Sequence, residues 1–250
     1  MIPKKIHYIW LGGKELPKMV KKCMKSWKKY CPDYEIIRWD ESNLNLDINR
    51  YCRQAYDSKK YAFASDVLRF EVLKNEGGIY LDVDVELIKP LDDLLDCKAF
   101  GGLESWGEKD TYIAPGLIFG SEQNGSVVSD ICKIYHNEDF ILDNGEFNYE
   151  TVGVKTTNYL IKKLNYKMGD NLQDLGEIIV YPTDYFCPIN AATKEEKITN
   201  NTYSKHLYLG SWVPKKPLKE RIISGTKKML KKILGNKTYD KIKNKVKDKK

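Results

Sequence analysis

The chain has 250 residues, 42% of them hydrophobic, and a formal net charge of +7. That is enough for one large domain with a full core, and no apolar run approaches the roughly 20 residues of a membrane span. The first ten residues lack the apolar stretch and cleavage site of a secretory signal, so a cytosolic protein is expected. Cys23, Cys31, Cys52, Cys97, Cys132 and Cys187 form no Cys-x-x-Cys pair, which argues against a zinc site or a disulfide scaffold. The charge is uneven: residues 215–250 carry +12 and the rest −5.

In chain order, residues 2–11 read as a strand ended by Gly12-Gly13. Residues 17–30 read as a helix opened by Pro17. Pro32-Asp33 makes a turn into a strand over 34–39, and 47–57 is helical. A long helix over 58–76 ends at Gly77-Gly78, and a strand follows to near Pro90. Alternating strands and helices predict an α/β fold with a mainly parallel sheet. Later signals are sparser: a strand with a tight approach over 115–120, helices over 126–135 and 156–164, and strands over 178–181 and 206–209. Residues 215–250 read as one or two basic amphipathic helices suited to an anionic membrane surface.

The chemistry centres on residues 77–86, where Asp82 and Asp84 interrupt an apolar run. In a strand, residues two apart share a face, so these carboxylates would sit side by side with Tyr80 and Glu86. Like charges that close repel, and a Mg²⁺ or Mn²⁺ ion carrying phosphate removes the penalty. Ala62, Asp66 and Arg69 share one face of the preceding helix. Asp66 and Arg69 form either a plain intrahelical pair or a grip on sugar hydroxyls or phosphate. His206 is a candidate third metal ligand, and Ser211-Trp212 lies just beyond it, with Trp212 as a candidate lid.

Three ordered blocks, residues 2–10, 64–69 and 77–84, resemble the Asp-x-Asp glycosyltransferases of the sugar-binding-region family, glycosyltransferase family 32. They are also similar to the catalytic domains of large glucosylating bacterial toxins. The family includes yeast mannosyltransferases and bacterial capsule and surface-polysaccharide enzymes. The resemblance covers residues 2–95 well; residues 181–188 and 206–212 look like later motifs. It implies a GT-A fold over residues 1–214, a nucleotide-sugar donor (UDP-sugar favoured), a Mn²⁺ or Mg²⁺ ion and retention at the anomeric carbon. It further implies that Trp10 stacks on the base, Asp66 and Arg69 bind the donor sugar, and Asp82 contacts ribose and sugar beside Tyr80. Asp84 would hold the metal, Ser211 or His206 would complete its shell, and Trp212 would cover the diphosphate. The toxins place an acid shortly before that serine; none stands between His206 and Ser211, and His206 is preferred as the ligand.

The expected acceptor is a glycan or lipid-linked chain in surface or capsular polysaccharide synthesis. The expected location is the cytoplasmic face of the membrane, with no nucleic-acid partner. The rival enzyme is a haloacid-dehalogenase-type phosphatase with Asp82 as nucleophile, Asp84 as acid/base and residues 169–174 as a later acidic motif. A non-enzymatic adaptor using the basic tail is the third class; its binding would be salt-sensitive.

Overall fold

A computed structural model describes residues 1–105, 111–190 and 195–210. The first half follows the sequence signals closely. Strand β1 (Lys5–Ile9) leads to helix α1 (Lys18–Tyr30), with Pro17 as its N-cap residue, then β2 (Glu35–Trp39). Helix α2 (Arg50–Asp57) begins later than expected because the Asn49 side chain caps it, accepting from Cys52 N–H at 2.8 Å. Helix α3 (Tyr61–Glu76) also starts late: Lys59 has φ +57 and separates the two helices. Gly77 closes α3 as predicted, at φ +61, with its N–H on Leu73 O at 2.8 Å.

The strand expected over residues 77–86 is two strands. Strand β3 (Gly78–Tyr80) ends before the first aspartate, and β4 (Val85–Leu87) joins a different sheet. Asp82, Val83 and Asp84 lie in the turn between them, closed by Val85 N–H on Asp82 O at 3.1 Å. A turn, not a shared strand face, therefore brings the carboxylates together. Glu86 does not join them: it faces α1 and pairs with Lys22 at 3.2 Å.

Further on lie β5 (Ala99–Ser105), β6 (Thr111–Ile113), β7 (Phe119–Ser121), α4 (Ser126–His136), α5 (Val152–Leu164), β8 (Gln173–Asp174), β9 (Ile179–Tyr181), the short α6 (Thr183–Phe186) and β10 (Ser204–His206). The strand expected over 115–120 is a turn followed by β7. The strand expected over 206–209 lies earlier, as β10, because its partner β4 fixes the register at Val85↔His206.

The main sheet runs β2-β1-β3-β7-β5-β9-β8, with β6 on β5. Pairs β1·β2, β1·β3 and β5·β9 are parallel, while β7 runs against both β3 and β5. Five of these eight strands thus share one direction, the mixed and mostly parallel sheet anticipated. Alternation along the strands feeds two apolar clusters, one per face. Tyr80 belongs to the cluster built on α2, α3 and α4; Ile79 and Leu81 belong to the one under α1 and β4. No helix among the described residues is long and apolar enough to cross a membrane.

Candidate active site

The site forms where β3 ends and the chain turns toward β4. Asp82, Asp84 and His206 each offer one ligand atom, all within 4.8 Å of one another. His206 arrives from the far end of the chain because β10 pairs antiparallel with β4. The contact is direct: His206 Nε2 lies 3.3 Å from Asp84 Oδ1. Asp84 is tied further by its backbone, which accepts Leu207 N–H at 3.0 Å, and by Oδ2, which accepts Leu209 N–H at 2.8 Å. Asp84 is only 9% exposed. Burial raises its pKa, but the bonds from His206 and Leu209 outweigh burial and leave the carboxyl below the ordinary range. Burial lowers the pKa of His206, but Asp84, Asp82 and Glu104 together lift it above the ordinary value.

Asp82 is positioned from behind. Tyr80 donates its hydroxyl to Asp82 Oδ1 at 3.1 Å, and an Arg69 guanidinium nitrogen stands 3.5 Å from the same oxygen. Arg69 also pairs with Asp66 at 2.9 Å and lies over the Tyr80 ring at 4.8 Å. Asp66 and Arg69 therefore do form the intrahelical pair, and the pair also leans on the aspartate turn. Burial and the Asp82 charge push the Asp66 carboxyl upward against the pull of Arg69. Burial, then Asp82, raises the Tyr80 hydroxyl well above its usual value. Both groups sit where charge is costly, so a polar ligand that supplies hydrogen bonds would be welcome there.

Gly116 holds Asp82 from the other side. Its carbonyl accepts Asp82 N–H at 2.7 Å, and a Cβ at this position would lie 2.2 Å from Asp82 Oδ2. This is the tight approach anticipated over residues 115–120. Sequence reasoning missed Glu104, at the end of β5. Its Oε2 accepts from Tyr208 Oη at 3.4 Å and lies 3.9 Å from His206 Nδ1. Nothing near Glu104 in sequence signals this, because its partners lie about a hundred residues away.

Of the remaining candidates, Trp10 is half-buried just beyond β1, its indole N–H donating to Lys14 O at 2.6 Å. It packs against the apolar cluster that includes Leu81 and Val83. Ser211, Trp212 and the expected tail helices lie outside the described residues.

The donor set fits a small divalent cation. Ligands on one such ion lie at most about 4.2 Å apart at bonds of about 2.1 Å, so a closure of about half an ångström would seat one. Two carboxylates with one imidazole suit Mn²⁺, and the carboxylates also suit Mg²⁺.

The profile of a family described as capsular polysaccharide synthesis protein matches residues 1–141. The chain is similar to inositol phosphoceramide mannosyltransferase 3 of Schizosaccharomyces pombe, 36% identical over 104 residues, which are 40% of this chain and 29% of that protein. It is also similar to an uncharacterized glycosyltransferase of Acanthamoeba polyphaga mimivirus, 27% identical over 222 residues, with 86% of this chain and 85% of that one covered. Among solved structures, the PaToxG glycosyltransferase superposes with a TM-score of 0.50 at 20% identity, over 66% of this chain and 70% of that one. That likeness is one of fold, and with the mixed sheet it bears out the expected GT-A-like architecture. The chain spans less than a third of the length of the yeast mannosyltransferase and of a Legionella pneumophila relative, subversion of eukaryotic traffic protein A, to which it is 27% identical over 184 residues.

Proposed function

The chain belongs to the capsular polysaccharide synthesis protein family, as a glycosyltransferase, and from that premise we propose that it moves a sugar from a nucleotide-sugar, UDP-sugar favoured, to a glycan or lipid-linked acceptor. The observation that carries this reading is the convergence of Asp82, Asp84 and His206 in front of the Asp66–Arg69 pair. Asp84 and His206, with Asp82, would hold a Mn²⁺ or Mg²⁺ ion. When bound, that ion supplies Lewis-acid stabilisation to the departing diphosphate.

The protein's own groups do the rest. Asp82 is fixed by Tyr80, Arg69 and the Gly116 carbonyl, so its carboxylate meets the donor without reorganising. Asp66 and Arg69 bind sugar hydroxyls. The sugar gains positive character as its bond to phosphate breaks, and the Asp82 and Asp66 carboxylates stabilise that charge. No side chain is assigned as base: in a retaining transfer the acceptor attacks from the side of the leaving group, where diphosphate oxygen takes the proton. Trp10 stacks on the base. The catalytic domain spans 1–214 and the basic segment 215–250 is a separate membrane contact. The family description supports polysaccharide synthesis as the setting, and the cytoplasmic membrane face is part of the proposal.

The phosphatase alternative is not favoured. Asp170 there serves as a local anchor, accepting Thr183 N–H and Oγ1 at 2.7 Å each, and Asp174 accepts Gly176 N–H. A thermal-shift panel of UDP, GDP and their sugars with and without Mn²⁺ tests the proposal. Stabilisation by UDP species that requires Mn²⁺ is expected. No shift with any nucleotide, alongside hydrolysis of a generic phosphate ester, would overturn it.

A further inference from the structure

Helix α1 carries Lys18, Lys21, Lys22, Lys25, Lys28 and Lys29 and no acidic residue. At about 100° per residue all six fall within an arc of roughly 120°, and all six are exposed. The opposite face is buried, with Val20, Cys23 and Trp27 fully covered. The result is a single-sign stripe about 16 Å long at 1.5 Å per residue.

This stripe works against the helix that bears it. All four helical neighbours of Lys25, at three and four residues either way, are lysines, and like charges at that spacing destabilise a helix. Lys18 and Lys21 sit in or beside the first turn, where the helix dipole is positive and acids are preferred. Among the described residues only Lys22 has an acidic partner, Glu86 at 3.2 Å. An anionic partner relieves each of these misfits at once.

We infer that the lysine stripe of α1 docks the protein onto an anionic lipid surface. Two features favour lipid over nucleic acid. The stripe holds no arginine and no exposed aromatic ring, the groups that read bases and fork onto phosphates. Lysine ammoniums are compact charges suited to a diffuse field of headgroups. Val20, Cys23 and Trp27 of α1 are already buried in the protein and Met19 is exposed at the edge of that face, so the contact is chiefly electrostatic. It also sits close to the chemistry. Trp27 Nε1–H donates to Val85 O at 2.8 Å, and Ser26 Oγ accepts Leu87 N–H at 2.9 Å. Docking through α1 thus places the strand beginning one residue after Asp84 on the membrane side. This inference does not depend on the donor assignment, because none of these lysines belongs to the site.

The test uses the full chain and a Lys21→Gln/Lys25→Gln/Lys28→Gln variant, with vesicles of phosphatidylglycerol in phosphatidylcholine and vesicles of phosphatidylcholine alone. Each lysine near such a surface contributes about fivefold in binding. The variant should therefore partition on the order of a hundredfold more weakly onto anionic vesicles, with donor turnover in solution unchanged. Its melting temperature should rise, because repulsion within α1 is relieved. Equal partitioning of both proteins overturns the inference. So does a variant that melts lower, or lysine-dependent binding to duplex DNA that exceeds binding to vesicles. Absence of nucleotide binding in both proteins would instead count against the transferase reading alone.

Discussion

His7 and His206 are both enclosed by the fold, and their surroundings drive them in opposite directions. The His7 ring is fully buried. Trp39 Nε1–H donates to its Nδ1 at 3.0 Å, so Nε2 must carry the hydrogen that meets Gly77 O at 2.7 Å. A second proton would face the indole N–H, and burial holds the ring down to about 4. His206 faces carboxylates on both sides and rises instead. The same side chain is a neutral junction at the root of β1 and a chargeable group at the mouth of the site. The sign of its neighbours decides which, since both rings are enclosed.

The strongest attack on this comparison removes the anion beside His206. Asp84→Asn should lower metal-dependent transfer on the order of a thousandfold, as a lost site for leaving-group stabilisation does. The fold should persist, because an amide oxygen still accepts Leu209 N–H. Near-normal turnover in a coupled diphosphate-release assay would remove Asp84 from the metal role.

The next effect belongs to His7 and appears in acid. The unfolded ring titrates near its ordinary 6.5 and the folded ring near 4, so the unfolded state binds more protons between those values. Stability from this site is complete above pH 6.5 and drains as pH falls toward 4. The full shift corresponds to about 3 kcal/mol. Urea midpoints of the wild type and His7→Gln, compared across that window, should converge as pH falls; parallel curves would show that His7 is not held neutral.

Replacing His206 with Gln should weaken Mn²⁺ binding by about 10- to 100-fold with little change in melting temperature. Manganese titration followed by electron paramagnetic resonance reads this directly, and unchanged affinity would remove His206 from the metal shell. The mildest change is Trp39→Phe, which deletes one hydrogen bond at a cost of about 1 kcal/mol. It should also let His7 titrate closer to its ordinary value by NMR.

The elements around His7 were legible because they carry local punctuation. Pro17 opens α1, Gly77 closes α3, and β1 alternates cleanly. Central strand β5 was not anticipated, because Gly101-Gly102 at its middle puts no side chain into the alternating pattern. The structure explains those glycines: a Cβ at Gly102 would lie 2.6 Å from the Phe186 ring, so an aromatic packed from α6 takes the place of a strand side chain. The aspartate pair was recognised from its spacing although the strand carrying it was misjudged, since residues two apart converge in a tight turn as well as on a strand face. Helical periodicity put Asp66 and Arg69 on one face of α3, and there they pair at 2.9 Å. Glu104 was invisible because its partners Tyr208 and His206 lie about a hundred residues further along the chain, and the close approach at Gly116 was anticipated without its partner Asp82.

The two-stranded sheet of β4 and β10 has a bearing on the order in which the protein is made. β10 pairs only with β4 among the described strands, and it is the last of them. A growing chain displays its aspartate turn while more than a hundred residues, His206 among them, are still to be synthesised. The triad therefore closes only when translation has passed β10. A proteolytic nick in the stretch before β10 would leave His206 held to the aspartates by the β4–β10 pairing and the bonds of Leu207 and Leu209 to Asp84, with every pairing of the eight-stranded sheet in place. The same small joint completes the centre only after every strand of the eight-stranded sheet has been synthesised.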